Sequence, residues 1–235
     1  MTVSSLPYRT ALIVGAGPGI SASVARQLAA AGVKVGLASR KVDKLASLAD
    51  EIGASRFAVD AVEPAAVAAL FEQAEQAMGE PDIVLYNASG RTRGPIAELD
   101  PEAVRETLAV SAYGGFLVTQ QAARRMIPRR HGAILLTGAS ASVKGFALSA
   151  PFAMGKFALR GLAQSAAREL APQGIHVAHF VIDGGVRSAS RPDPDGQPDS
   201  TLDPDAVAQS YLDVLRQPRS AWSWEIELRP WTEKF

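Results

Sequence analysis

The sequence predicts a single α/β domain built on a doubly wound parallel β-sheet that is flanked by helices. Short runs of almost continuous apolar and β-branched residues alternate with alanine-rich stretches of helical length. Strands of that composition are typical of parallel sheets that are covered on both faces. Such alternation requires crossover connections, which are right-handed in these sheets. A length of 235 residues suits one domain with a large core, spanning residues 1–235.

The predicted elements follow one another along the chain. The strands are predicted at residues 10–14, 33–39, 55–60, 83–87, 133–137 and 176–182. The helices are predicted at residues 19–31, 41–52, 64–78, 101–130 and 150–171. Pro64 and Pro101 suit the first turn of a helix, where a backbone amide needs no partner. Glycines also stand where helix ends favour them, at Gly32, Gly53, Gly79 and Gly174.

The last part of the sequence is less regular. Residues 187–204 are rich in Asp, Pro, Ser and Gly, which predicts a mobile, variable surface loop beside the substrate. Residues 204–217 are predicted to form a short helix. Residues 222–231 alternate between apolar and polar side chains, as a final strand does.

The composition excludes several classes of protein. Acidic and basic residues balance at 24 each without a basic run, so neither nucleic acid nor an anionic membrane is indicated as a partner. The absence of cysteine excludes disulfides and thiolate chemistry, and the three histidines lack metal-ligand spacing, so no metal site is expected. The N-terminal residues lack the pattern of a signal peptide, and no apolar run approaches about 20 residues. A cytoplasmic location is therefore expected.

A glycine-rich turn joins the first predicted strand to the first helix. Gly15, Gly17 and Gly19 follow an apolar run, and Ile20 opens the helix. A turn without Cβ atoms lets a pyrophosphate approach the backbone amides at the positive end of the helix dipole. Glycines in this strand–helix context predict a dinucleotide-binding site.

Three motifs together resemble the short-chain dehydrogenase/reductase family. They are the glycine turn, the sequence Tyr86-Asn87-Ala88-Ser89 after a buried strand, and the spacing of Phe152 and Lys156. The family versions of the last two are Asn-Asn-Ala-Gly and Tyr-x-x-x-Lys. The resemblance covers residues 8–188 well, and the tail at residues 218–235 is atypical. It implies a Rossmann-type fold and an NAD(P)H-dependent oxidoreductase that acts on a small carbonyl, alcohol or enoyl substrate.

The resemblance assigns a set of cofactor-binding positions. Gly15 and Gly19 match the first two glycines of the family's Gly-x-x-x-Gly-x-Gly, and Ser21 stands at the third. The remaining positions carried over are Asp60 and Ala61 beside the adenine, Asn87 and Ala88 beneath the cofactor, Lys156 at the nicotinamide ribose, and Val186 and Ser188 near the carboxamide. Each of these is an expectation from the family pattern.

The end of the second strand indicates which dinucleotide binds. An acidic residue there would bind the ribose hydroxyls of NAD, and none is present. Arg40 offers a planar fork that suits the 2′-phosphate of NADP, and Ser39 is a further donor. Within the family pattern, NADP(H) is favoured over NAD(H). An ordinary solvated arginine at the start of a helix is the alternative.

The catalytic positions depart from the family pattern. In the family a tyrosine donates a proton to the substrate, and a lysine holds the nicotinamide ribose and lowers the pKa of that tyrosine. A serine orients the carbonyl group, and an asparagine holds a water molecule. Lys156 matches the lysine, but Phe152 stands at the tyrosine position and Ser111 at the asparagine. The serine register falls on Ala139, with Ser140 beside it.

These departures leave three interpretations open. The protein is an enzyme that uses Ser140, Tyr113 or a water bound by Lys156, or whose substrate, such as an enoyl thioester, needs no tyrosine. Alternatively, it is a catalytically impaired NADP(H)-binding sensor or assembly partner. Thirdly, Phe152 is an isolated lesion in a decayed enzyme. Loss of acid–base assistance costs about 10²–10⁴ in rate, so cofactor binding is expected in each case.

The resemblance also implies partners. Arg91 and Arg93 follow the Asn87 motif at the rim where substrates enter in relatives. They are either substrate contacts for a carboxylate or phosphate, or solvated loop charges. The helices at residues 101–130 and 150–171 carry small residues, and in the family these helices pack across a twofold axis. A homodimer or homotetramer is expected.

Overall fold

A computed structural model describes residues 6–234. Residues 1–5, on which the expectation about a signal peptide depends, lie outside the described residues, as does residue 235 of the tail. Seven parallel strands form one sheet in the order β3-β2-β1-β4-β5-β6-β7. The strands are β1 (Thr10–Val14), β2 (Lys34–Ser39), β3 (Ser55–Ala58), β4 (Ile83–Tyr86), β5 (Gly132–Thr137), β6 (Ile175–Ile182) and β7 (Glu225–Leu228). The predicted α/β class and doubly wound parallel sheet are confirmed.

Helices cover both faces of this sheet. They are α1 (Ile20–Ala30), α2 (Ala46–Ile52), α3 (Pro64–Met78), α4 (Pro101–Leu108), α5 (Gly114–Arg129), α6 (Ala150–Leu170) and α7 (Pro204–Leu215). One apolar core lies under α1, α2 and α7, and a second lies under α3, α5 and α6. Neighbouring residues of β1 divide between the two cores, because successive side chains of a strand point to opposite faces. Among the described residues, no helix combines the length and apolarity that a membrane crossing requires.

Some predicted boundaries were wrong. The strand predicted at residues 55–60 ends at Ala58, so Asp60 follows it. The strand predicted at residues 222–231 is only Glu225–Leu228, because Pro230 has no amide to continue the ladder with β6. The helix predicted at residues 41–52 begins as the 3-10 turn Val42–Leu45.

The long helix predicted at residues 101–130 is also interrupted. A π-helical turn, Ala109–Tyr113, separates α4 from α5. The buried Tyr86 hydroxyl donates a hydrogen bond to the carbonyl oxygen of Val110 within this turn. Gly114 follows at once, and a Cβ there would stand 2.5 Å from the Tyr86 hydroxyl oxygen. The glycine therefore allows the helix to approach the end of β4 closely.

The order of the strands opens a crevice at one edge of the sheet. From β1 the chain proceeds to β2 and β3 on one side, and from β4 to β5, β6 and β7 on the other. The loops that leave the carboxyl ends of β1 and β4 therefore diverge. In open α/β sheets, ligands bind at such a reversal of strand order.

Asp82 stabilises the edge of the sheet at the amino ends of the strands. Its buried carboxylate accepts hydrogen bonds from the Arg9 amide at 2.8 Å and from Arg129 Nη1 at 2.7 Å. We expect Asp82→Ala to lower the free energy of unfolding by about 2 kcal/mol, because the Arg9 amide loses its acceptor and Arg129 keeps only its ion pair with Glu80. Urea denaturation measures this. The exposed Asp50→Ala control should change stability by less than about 0.5 kcal/mol, and an equal loss in both would contradict the account.

Candidate active site

Two adjoining clefts lie at the carboxyl edge of the sheet, where the strand order reverses. The first cleft has a volume of about 320 Å³ and lies between the ends of β1, β2 and β3. The second cleft has a volume of about 660 Å³ and lies beside β5, α6 and the loop after β6. Asn87 and Ser89 line both clefts, so the two form one elongated groove. No group of three or more His, Asp or Glu side chains able to hold a metal ion occurs in residues 6–234.

The glycine turn is fixed by close backbone contacts. Gly15 has a φ of 82°, and a Cβ there would stand 2.3 Å from the Ala88 amide nitrogen. Gly19 has a φ of 86° with open space where its Cβ would point. The Ser21 hydroxyl lies 3.1 Å from both the amide nitrogen and the carbonyl oxygen of Gly17, and 3.3 Å from Asn87 Nδ2. The serine at the third glycine position therefore closes the turn onto the loop after β4.

The first cleft brings together most of the expected cofactor-binding residues. Its lining includes Gly15, Ser39, Arg40, Asp60, Ala61, Asn87 and Ala88. Asp60 lies two residues beyond the end of β3, where its Oδ1 accepts a hydrogen bond from the Val62 amide at 3.3 Å. Gly17 and Gly19 do not belong to the lining of either cleft, whereas Ile20 lines the second.

Lys156 is the buried cation of the second cleft. It lies on α6, and its Nζ donates a hydrogen bond of 2.7 Å to the carbonyl oxygen of Thr137 at the end of β5. Burial lowers the pKa of Lys156 to about 8, because the charged form loses its hydration. The protonation midpoint of Lys156 therefore lies far closer to neutral pH than the ordinary lysine value of about 10.4.

Phe152 lies one turn before Lys156 and faces two cations. Its ring centroid is 5.9 Å from Lys156 Nζ and 5.0 Å from the guanidinium carbon of Arg91. Both distances are within the range of cation–π attraction. All three side chains line the second cleft, together with Arg93.

The loop after β5 holds one half-buried and one fully buried serine. Ala139 and Ser140 line the second cleft. Ser142 is buried, and its Oγ accepts a hydrogen bond from the Ala139 amide at 3.1 Å and lies 3.3 Å from His179 Nε2. Ser142 thus fixes the shape of the loop, and Ser140 is the serine of this loop that lines the cleft.

His179 supports that loop from inside the sheet. Its Nδ1 lies 3.1 Å from Glu225 Oε2, and burial lowers the pKa of His179 to about 4. A neutral imidazole that donates from Nδ1 to the carboxylate accepts a hydrogen bond from the Ser142 hydroxyl at Nε2. A strand at the edge of the sheet is thereby connected to the wall of the cleft.

Three further residues that were expected in the site lie outside both clefts. Ser111 is fully buried behind the cleft, and its Oγ accepts a hydrogen bond of 3.0 Å from the Gly90 amide. Tyr113 is 46% exposed and stacks against Phe116, outside both clefts. Val186 lines the second cleft, but Ser188 does not, and its Oγ lies 3.2 Å from Ser190 Oγ.

The sequence of residues 9–193 matches the family model described as short chain dehydrogenase. The chain belongs to the short-chain dehydrogenase family. An uncharacterized oxidoreductase of Staphylococcus saprophyticus is 29% identical over 234 residues, which cover 96% of this chain and 98% of that protein. The protein is accordingly an oxidoreductase of the short-chain dehydrogenase type.

Solved structures agree with this membership. A short-chain dehydrogenase from Rhodopseudomonas palustris has 34% identity and a TM-score of 0.82, and the match covers 95% of this chain and 99% of that one. A metagenomic short-chain oxidoreductase in complex with NADP has 28% identity and a TM-score of 0.83, and the match covers 97% and 99% of the two chains.

Several residues of the second cleft of this short-chain dehydrogenase were not singled out from the sequence as pocket residues. They are Phe146, Ser149, Asp183, Arg191 and Glu233. Asp183 is buried and lies 3.2 Å from Arg229 Nη2 and 3.5 Å from Lys144 Nζ. Arg191 comes from the loop at residues 187–204 and Glu233 from the tail, and no motif indicates that these segments meet.

The pKa of Lys156 is open to direct measurement. We expect its side-chain Cε resonance to titrate with a midpoint near pH 8, because the buried ammonium has one carbonyl partner and no carboxylate within its hydrogen bonds. NMR of protein labelled at lysine gives the midpoint, and the spectrum of the Lys156→Met variant identifies the resonance. A midpoint at the ordinary lysine value of about 10.4 would show that the ammonium is hydrated.

Proposed function

We propose that this protein is an NADP(H)-dependent oxidoreductase that acts on a small carbonyl, alcohol or enoyl substrate through a non-standard active site. The observation that carries the proposal is the continuous groove across the strand reversal, with Arg40 at one end and the buried Lys156 at the other. Such a groove has the cationic and backbone donors that a dinucleotide requires.

The residues of the groove fit a dinucleotide. Open space at Gly19 and the start of α1 leave room for a pyrophosphate against backbone amides. When bound, the cofactor supplies or accepts a hydride. The proposed contacts are Gly15, Gly17, Gly19 and Ile20 for the pyrophosphate, Asp60 and Ala61 for the adenine, Asn87 and Ala88 for the floor, and Lys156, Val186 and Ser188 for the nicotinamide end.

Arg40 and Ser39 support a preference for NADP(H). Both line the first cleft, where the adenosine ribose is proposed to lie. A guanidinium binds a phosphate with two parallel charge-assisted hydrogen bonds, which a ribose hydroxyl cannot match. A similar short-chain oxidoreductase, 28% identical to this chain, was solved with NADP.

The proton source is the non-standard part of the proposal. Phe152 is proposed to occupy the position of the family tyrosine, so the aromatic side chain of α6 carries no acid. An ammonium has three N–H donors, and the Thr137 carbonyl engages one on Lys156. Lys156 with a pKa of about 8 can supply a proton through a bound water, with Ser140 as the nearby hydroxyl of the cleft.

A homodimer or homotetramer is also proposed. Four large apolar side chains on the π-helical turn, α5 and α6 are exposed: Tyr113, Phe116, Met154 and Phe157. Clustered apolar exposure of this kind marks protein–protein interaction sites. A twofold contact through these helices would bury all four.

The cofactor preference is tested by reversing the charge at residue 40. We expect Arg40→Asp to weaken NADPH binding by about 10- to 100-fold, because a charge-assisted interaction with the 2′-phosphate becomes repulsive. NADH binding should change much less. Calorimetric titration of both cofactors measures the ratio, with Arg168→Asp on the exposed far end of α6 as the matched control. An unchanged ratio would exclude the role of Arg40, and binding of neither cofactor to the wild type would overturn the proposal.

Turnover and its pH dependence test the chemistry. With NADPH and a panel of aldehydes, ketones, quinones and enoyl thioesters, we expect reduction that is constant below pH 8. The rate should fall about tenfold per pH unit above that value, because reduction consumes the proton of Lys156. The decrease in NADPH absorbance measures the rate. In the Lys156→Arg variant the decrease of the rate above pH 8 should disappear. Tight binding without turnover across the panel would instead favour the sensor or assembly partner.

A further inference from the structure

We propose that Arg91 is the catalytic residue that binds the substrate oxygen in the second cleft, and that Phe152 is the residue that positions it. The Phe152 ring then supports the Arg91 guanidinium at the place where other members of the family present the hydroxyl of a tyrosine. The inference rests on the proposed function, because it requires a carbonyl or enoyl substrate to react in this cleft.

The first observation is the stacked pair itself. The Arg91 guanidinium carbon lies 5.0 Å from the centroid of the Phe152 ring, and both side chains line the second cleft. A guanidinium held over a ring by cation–π attraction keeps its N–H groups free at its edge. Those donors are available to an oxygen atom bound between Arg91 and Lys156.

The second observation is that the backbone on both sides of Arg91 is fixed. The Gly90 amide donates to Ser111 Oγ at 3.0 Å, and a Cβ on Gly90 would stand 2.8 Å from Thr107 Cα. On the other side, Thr92 Oγ1 lies 2.8 Å from Thr107 Oγ1. The loop is thus pressed against α4 and the π-helical turn, which limits where the Arg91 side chain can start.

The third observation links Ser111 to the same helix that carries Phe152. A Cβ on Gly155 would stand 2.6 Å from Ser111 Cβ, so α6 and the π-helical turn touch without a side chain between them. Gly155 and Phe152 are three residues apart and share a face of α6. The unusual residues at positions 111 and 152 therefore both contribute to the placement of Arg91.

The charge of Arg91 is available to a substrate. The carboxylates that line the second cleft are Asp183 and Glu233. Asp183 is already paired with Arg229 and Lys144 at 3.2 and 3.5 Å, and neither acidic residue forms an ion pair with Arg91 among the described residues. The Arg91 guanidinium is exposed to the cleft, so an oxygen anion can reach it.

The chemistry divides between two residues. As the carbonyl carbon accepts a hydride, the C–O π electron pair moves to the oxygen, and the N–H groups of Arg91 bind the negative charge that develops there. A guanidinium keeps its proton at any ordinary pH, so Arg91 stabilises the oxyanion without protonating it. The proton that completes the alcohol comes from Lys156 through a water. The carbonyl gains the two electrons that the proposed NADPH loses.

A binding experiment tests Arg91 without relying on turnover. Benzoate serves as the probe, because its planar carboxylate imitates a bound oxyanion, and benzamide is its neutral counterpart. Calorimetric titrations are made with and without saturating NADP⁺. We expect the wild type to bind benzoate about tenfold more tightly than benzamide, and Arg91→Gln to lose this preference. Phe152→Leu should weaken benzoate binding several-fold, because the guanidinium loses its support.

Matched variants separate a specific contact from general attraction. Arg93→Gln removes the same charge from the same cleft and should reduce benzoate affinity less than threefold, a figure of roughly 0.6 kcal/mol or less. Arg91→Lys should have a benzoate affinity between those of the wild type and Arg91→Gln. The lysine keeps the positive charge but lacks the two parallel N–H donors of the guanidinium. Circular dichroism and NADP⁺ affinity establish that each variant is folded. Equal losses in Arg91→Gln and Arg93→Gln, or unchanged benzoate binding in Arg91→Gln, would overturn the inference.

Kinetics provide a second measurement. For any panel compound that is reduced, Arg91→Gln should lower kcat by about 10²–10³ with the KM for NADPH unchanged, because the lost interaction forms in the transition state. If NADP⁺ fails to bind the wild type, the proposed function is wrong. If NADP⁺ binds and benzoate binding does not depend on Arg91, only the assignment of Arg91 is wrong.

Discussion

The candidate active site depends on the burial of one ammonium group beneath the end of β5. Lys156 is 3% exposed and has the Thr137 carbonyl as its hydrogen-bond partner, an arrangement that costs free energy because water would solvate the charge better. The surrounding fold maintains it, since α6 packs into the apolar core beneath the sheet from Leu159 to Leu170. The cost appears as a pKa of about 8, and perturbed pKa values of this kind cluster at functional sites.

The proposed departures from the family pattern form one connected arrangement. Ser111 holds the Gly90 amide, Gly90 fixes the start of the Arg91 loop, and Arg91 lies over the Phe152 ring. Loss of the Ser111 hydroxyl would leave the Gly90 amide without its partner, and loss of the Phe152 ring would remove the support under Arg91. A decayed enzyme would lose such groups independently of one another. The connected arrangement therefore favours a site that has changed its way of binding oxygen.

The fold could be predicted from the sequence because both faces of its strands are buried. Strands of that kind consist almost entirely of apolar residues, which the sequence shows directly. The same reasoning failed at β7, which is half-buried at the edge of the sheet and therefore alternates over a longer stretch than it pairs. The glycine turn was recognisable because its geometry restricts residue type. The contact between Arg91 and Phe152 could not be recognised from the sequence, since it joins a loop to a helix 61 positions later in the chain. Neither residue indicates by itself that the other lies beside it.

The substrate side of the cleft is built by segments that carry no regular pattern. The loop at residues 187–204 and the tail are joined where Trp231 Nε1 donates to the Pro198 carbonyl at 3.3 Å. Pro230 packs so closely on Gly184 that a Cβ there would stand 2.7 Å from Pro230 Cδ. Arg191 and Glu233 reach the cleft from this joined unit. Because irregular segments vary without disturbing the sheet, we propose that they determine the identity of the substrate, while the groove and Lys156 determine the type of reaction.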